Sequence, residues 1–185
     1  MTRGETNARS QVALDVRDLL PRSASIIEAF FGTTEQNSNP SLVLATAYAL
    51  ASLHQQQWNA EDASRRPGAS VDEIAESKRR IDALNARRVS LVEQIDTWAD
   101  RNVTSKTEEV PLHTETLGSV VDRLAIAWIR AKNIRESGNR NRARLALRQL
   151  MQLADAYDDL VRDIGAGQRR LPVWRSLKTY GGEAQ

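Results

Sequence analysis

Apolar residues recur at helical spacing over several long stretches of this chain, and each stretch is bounded by residues that open or close helices. One seam runs through Val71, Ile74, Ile81, Leu84, Leu91, Ile95 and Trp98. Another runs through Ala143, Leu147, Leu150, Ala154, Tyr157, Val161 and Ile164. No stretch alternates apolar and polar residues convincingly enough for a half-buried strand. A helix with one apolar stripe must bury it against another element, so the pattern predicts an all-α fold, an antiparallel bundle of four to five main helices.

The boundaries follow from local chemistry. A first helical segment spans about Gln11 to Phe31, divided near Pro21 and stopped by Gly32. Ser41 is placed to cap a second helix that runs to about Arg65 and ends at Pro67-Gly68. Ser70 and Glu73 have the spacing of a capping box, opening a third helix to about Asp100. After a loop containing Pro111, a fourth helix runs from near Thr116 to Glu136, before Gly138. A fifth spans Asn141 to Ile164 and stops at Gly165. Gly165-Ala166-Gly167 follows a helix and not a strand, so it reads as a helix end rather than a phosphate loop. The organisation expected is a flexible arm over 1–10, a bundle domain over 11–170 and a C-terminal arm over 171–185.

A chain of 185 residues can bury roughly 70% of its unfolded surface and needs no cross-link to hold a core. It has no cysteine, and its only histidines are His54 and His113, the latter expected in an exposed loop. Thiolate zinc sites, iron–sulfur clusters, cysteine nucleophiles and zinc sites built on several imidazoles are thereby excluded. No haem is expected either, and the absence of Glu-x-x-His pairs argues against a ferritin-like di-iron centre. The N-terminus is polar, and the apolar run Leu42 to Leu53 is shorter than the ~20 residues of a bilayer span. A cytoplasmic protein without membrane insertion is expected. The net charge of +2 does not advertise nucleic-acid binding. Arginines cluster between Arg130 and Arg148, as a solvated face or a polyanion contact, but no aromatic residue is interleaved there to stack bases.

Polar residues on stripes that should be buried are more informative. On the second helix the face of Val43, Ala47 and Leu50 continues as His54, Trp58 and Glu61, with Asp62 and Arg65 alongside. On the third, Arg88 holds a seam position with Asn85 beside it. On the fourth, Asp122 shares a face with Ala125, Ile126 and Ile129, and Glu115 lies two turns earlier. That helix is apolar nearly all round, which predicts a central position. A buried acid needs a partner, and Arg88 pairing with Asp122 or Glu61 as a structural ion pair is one sufficient explanation. Trp58, Trp98 and Trp128 read as core packing.

The functional explanation is a pocket between helices. Glu61, Asp62, Glu115 and Asp122 are the candidate general acids or bases, and Glu61, Asp62 and Asp122 the set that could hold magnesium. Arg88 and Arg123 could clamp a phosphate or carboxylate, with His54, Trp58, Asn85, Ser119 and Arg130 as further ligand-binding candidates. Ser119 has no histidine at helical spacing to activate it as a nucleophile.

Three stretches carry a resemblance. They are Trp58-x-x-Glu61-Asp62-x-x-Arg65; Ile81-Asp82-x-Leu84-Asn85-x-x-Arg88 with Val92-Glu93-x-Ile95-Asp96; and Glu115-Thr116-x-Gly118-Ser119-Val120-Val121-Asp122-Arg123-Leu124-x-Ile126. Together they resemble domain of unknown function 4254, a family with no assigned reaction. The family usually has proline where this chain has Leu117, Asn-Asp where it has Val89-Ser90, and asparagine where it has His54. Arg130 stands where the family has lysine and Asn133 where it has histidine. Members are often encoded beside envelope-polysaccharide glycosyltransferases, so the resemblance implies a bacterial cytoplasmic setting and a link to sugar or nucleotide-sugar metabolism.

The function expected is therefore a small enzyme or ligand-binding protein handling an anionic metabolite, such as a phosphorylated or nucleotide-linked sugar. A rival expectation is a non-catalytic bundle that docks onto a partner enzyme, and a third is polyanion binding through the 130–148 arginines. Exposed seams would also allow a homodimer.

Overall fold

A computed structural model describes residues 19–32, 41–103 and 109–173. Helix α1 spans Ser23–Phe30, α2 Leu42–Ser64, α3 Val71–Asn102, α4 Leu117–Glu136 and α5 Arg140–Gly165. The fold is an all-α bundle, and among the described residues the one β-like feature is an isolated bridge between Leu112 and Arg170. Residues 11–18 of the first helical segment, the N-terminal arm and most of the C-terminal arm lie outside the described residues.

The helix ends are built from the residues that signal them. Ser41 Oγ accepts from the Leu44 N–H, Thr116 Oγ1 from Ser119 N–H and Asn139 Oδ1 from Arg142 N–H. Ser70 and Glu73 form a complete capping box: Ser70 Oγ accepts from Glu73 N–H and Glu73 returns an acceptor to Ser70 N–H. Ser70→Ala is expected to cost about 1 kcal/mol, measured as a shift in urea midpoint at unchanged slope. Gly32 and Gly167 follow α1 and α5 with φ of 73° and 68°, left-handed values that close a helix. The Gly165-Ala166-Gly167 stretch is thus a helix end.

Helix α4 packs against each of the other four helices, which its all-round apolar character requires. Short turns join α2 to α3 and α4 to α5. Asp96 of α3 meets Gly118 of α4 while Arg88 meets Asp122, so numbers rise on one helix as they fall on the other and the pair is antiparallel. The core between them holds Val43, Ala47, Leu50, Leu53, Leu91, Ile95, Val121, Leu124, Ala125, Leu150 and Tyr157. Helix α1 is short and is pinned to α5 by polar contacts. Asp158 accepts from Ser23 N–H at 2.8 Å and from Ser23 Oγ at 2.7 Å, and the Tyr157 hydroxyl donates to Pro21 O at 2.9 Å. Burial, and secondarily the Asp158 charge, pushes the Tyr157 phenol well above its ordinary value.

Two seams differ in detail from the pattern. Leu147 is 54% exposed, and Ala146 lies in the core in its place. The buried face of α5 runs through Ala146, Leu150, Ala154, Tyr157, Val161 and Ile164, and Leu147 stands one residue, about 100°, off it. Val71, the first residue of α3, is 83% exposed. Behind α5 the chain returns to the loop before α4. His113 N–H donates to Arg170 O at 2.8 Å and Arg170 N–H to Pro111 O at 3.1 Å.

Candidate functional site

The bundle brings α2, α3 and α4 together on one side, where the polar residues on their inner stripes meet. Asp122 is the centre. It sits in the second turn of α4 among Val121, Leu124 and Ala125 and is only 4% exposed. Its Oδ1 accepts from His54 Nε2 of α2 at 2.7 Å. Arg88 of α3 approaches from the other side, donating Nε to both carboxylate oxygens at 3.0 Å and Nη2 to Oδ2 at 2.5 Å. Of the two partners weighed for Arg88, the structure selects Asp122. Glu61 is taken instead by Arg65, one turn along α2.

Burial alone would push the Asp122 carboxyl up. Hydrogen bonds from His54 and Arg88, together with their charges, outweigh it and hold the carboxyl below its ordinary value. The same hydrogen bond makes Arg88 hold its proton more firmly than usual, against the opposing effect of its own burial. Beyond His54 the polar contacts continue outward. The Nδ1 of His54 lies 3.0 Å from Gln57 Oε1, and Gln57 Nε2 donates to Asn85 Oδ1 at 2.7 Å. A chain of side chains therefore runs Arg88–Asp122–His54–Gln57–Asn85, from α3 through α4 and α2 and back to α3.

Two open clefts flank this chain. One, of about 900 Å³ between α3 and α4, is lined by Asn85, Arg88, Val89, Val92, Glu115, Ser119, Asp122, Arg123 and Ile126. The other, about 430 Å³, adds α2 and carries His54, Gln57, Trp58, Glu61, Asp62, Arg65 and Arg130. Asn85, Arg88 and Ile126 belong to both. All eleven candidate residues line one cleft or the other, but they are not equally placed. Glu115 and Asp122 share the larger cleft, and Glu61 and Asp62 the smaller. Arg123 donates to Glu115 at 2.5 Å in a largely exposed pair. Ser119 is engaged with Thr116 at the start of α4, its hydroxyl 3.0 Å from Thr116 Oγ1. Among the described residues no three His, Asp or Glu side chains gather as a metal site, so Glu61, Asp62 and Asp122 are not brought together as a magnesium set.

Trp128 is buried against Phe30, whereas Trp58 is half-buried with one side on the smaller cleft. His113 is half-buried, its Nδ1 within hydrogen-bond distance of the Glu115 backbone. Three participants escaped the sequence pattern. Gln57 looked like one of three consecutive glutamines on α2 and only its position beside His54 distinguishes it. Gly118 and Asp96 were visible as motif residues without a role. Asp96 is buried and accepts from Gly118 N–H at 2.6 Å, capping the start of α4 from α3.

A family model described as "Protein of unknown function (DUF4254)" matches residues 44–173, well over half of the chain and all of the paired clefts. No curated protein and no solved structure matches the chain.

Proposed function

The chain belongs to the DUF4254 family, and on that premise we propose that it binds, or acts on, an anionic metabolite in the paired clefts between α2, α3 and α4. The observation that carries this reading is the buried Asp122 at the junction of two open clefts, held by His54 and Arg88. Bundle packing asks only for an apolar side chain there, and desolvating a carboxylate costs several kcal/mol that apolar packing would not. What the arrangement gains is a fixed guanidinium. Arg88 uses Nε and Nη2 on Asp122, and its side chain remains 37% exposed. Its outer N–H groups are thus presented to the clefts in one orientation, as anion recognition requires.

The geometry supports the following roles. Arg88 is the primary anion contact and Arg130 the second, since Arg130 lines the smaller cleft. Arg123 can exchange Glu115 for a ligand at little expense, because exposed pairs are worth only about 0–1 kcal/mol. Asp122, its carboxyl held low between two donors, is a positioning residue rather than a proton carrier. Glu115, Glu61 and Asp62 at the rims are the groups for acid–base chemistry. The open face of Trp58 suits the ring of a sugar or base, which favours a phosphorylated or nucleotide-linked sugar in a bacterial cytoplasm.

A second reading, a scaffold that docks onto a partner enzyme, is favoured by one observation: Val89, Ile126 and Leu145 are large apolar side chains left exposed on α3, α4 and α5. Among the described residues no helix is long and apolar enough to cross a membrane. A thermal-shift panel of sugar phosphates, nucleotide sugars and nucleotides, each with and without magnesium, tests the anion-binding reading. A ligand at 100 times its Kd should stabilise by about 2.7 kcal/mol, or roughly 5–10 °C, and Arg88→Met should abolish the shift. No shift with any member of the panel would overturn it in favour of the scaffold.

A further inference from the structure

We infer that Asn85 is a specificity-determining residue of these clefts, presenting its amide N–H groups beside the outer edge of Arg88 so that the two together receive an oxyanion group. The inference rests on the anion-binding reading above and names the group recognised: a phosphate, sulfate or carboxylate. Its basis is a hydrogen-bond chain that ends on the Asn85 carbonyl. An ionised carboxylate can only accept, so His54 Nε2 donates to Asp122. On the other side of the ring, Nδ1 lies 3.0 Å from Gln57 Oε1. Gln57 donates from Nε2 to Asn85 Oδ1 at 2.7 Å. The carbonyl of Asn85 is thereby engaged, and its NH2 is left to the clefts, with no acceptor among the described residues.

Asn85 and Arg88 are three residues apart on α3, which makes them neighbours on one face, with Cβ atoms about 5–6 Å apart. Both line both clefts. At the edge that the clefts share, the Asn85 amide and the guanidinium N–H groups not used by Asp122 are donors. A donor-only edge suits a ligand group that only accepts, and it rejects an ammonium. Charge agrees with this polarity, because Arg88 brings a guanidinium to the edge of both clefts. Arg130 adds another cation to the smaller cleft. Of the acids on that cleft, Glu61 is paired with Arg65, and Asp62 lies about 12 Å along α2 from His54.

The test uses the full chain and simple probes: sulfate, phosphate and acetate, each against chloride at matched ionic strength, read by thermal shift and by calorimetric titration. Wild type should respond to at least one oxyanion beyond chloride. Asn85→Leu should weaken that binding roughly tenfold, the value of one hydrogen bond to a charged group, and Asn85→Asp should abolish it. Gln57→Met, which removes the bond that holds the Asn85 carbonyl, should weaken it by a smaller factor. Sulfate stabilises proteins generally by exclusion from their surface. That effect is common to wild type and variants, so the difference between them reports the site. The strongest of the three probes identifies the oxyanion class. Asn85→Leu binding as tightly as wild type would overturn the inference while leaving the anion-binding reading intact. A wild type indifferent to all three probes would also overturn it, with the organic panel deciding the broader reading separately. Oxyanion binding that survives Arg88→Met unchanged would overturn both.

Discussion

Asp122→Asn is expected to destabilise the protein by about 3–5 kcal/mol, a fall in Tm of roughly 6–20 °C. The substitution keeps the shape of the side chain and removes its charge, leaving His54 and Arg88 facing each other across a neutral amide in a buried site. Arg88 is partly exposed and can turn toward water, so the cost should fall in the lower half of that range. Arg88→Met should cost less, because Asp122 keeps its bond to His54. The sign of the pH dependence follows from the lowered Asp122 carboxyl. A group whose folded pKa is below its unfolded value of about 3.9 contributes fully above that value, and the contribution is lost as pH falls through the folded pKa. Urea midpoints measured from pH 7 to pH 3 should therefore drop more steeply for wild type than for Asp122→Asn, and the gap between them should close in acid. A gap that stays constant with pH would mean that the asparagine variant loses packing rather than a paired charge.

The same residue shows what was legible in the sequence. An aspartate among Ala125, Ile126 and Ile129 is visible as an anomaly because helical periodicity fixes which face it shares, and an arginine on the facing seam is the obvious partner. Helix ends were legible for a similar reason: capping is local chemistry, decided within four residues, and Ser41, Ser70, Thr116 and Gly167 act where their types suggest. Distances between helices are not local. Whether Arg88 reaches Asp122 or Glu61 depends on the stagger of α3 against α4, which no single helix encodes. Leu147 failed for a related reason, since a one-residue difference in register is small against a pattern that contains both Ala146 and Leu147, and size favoured the wrong one. Gln57 carries no signal in its type at all. It matters because the turn of α2 sets it between His54 and Asn85, where its amide meets both side chains.

Gly118→Ala is expected to be destabilising by about 2–3 kcal/mol, against the usual direction for a helical glycine. Alanine gains about 1 kcal/mol over glycine in a helix interior, and Gly118 has no positive φ that would oppose it. The steric term has the opposite sign and is larger. A Cβ there would run into the Val92 carbonyl oxygen and stand 2.7 Å from Asp96 Oδ1. Neither neighbour yields easily: the first is backbone within α3, and the second is the buried carboxylate that caps α4 through the Gly118 N–H. Relief requires α3 and α4 to separate at this turn. Asp96→Ala combined with Gly118→Ala should recover only part of the loss, because the Val92 carbonyl remains. Gly118 lies one helical turn before Asp122, so the same separation carries the carboxylate away from Arg88. Gly118→Ala should thus weaken anion binding as well as stability, although no atom of Gly118 bears on the recognition of the ligand. Equilibrium unfolding combined with the oxyanion titration measures both effects. A Gly118→Ala protein as stable as wild type would mean that the two helices have room to part, and that Asp122 and Arg88 are held together by their own bond rather than by the close approach beneath them.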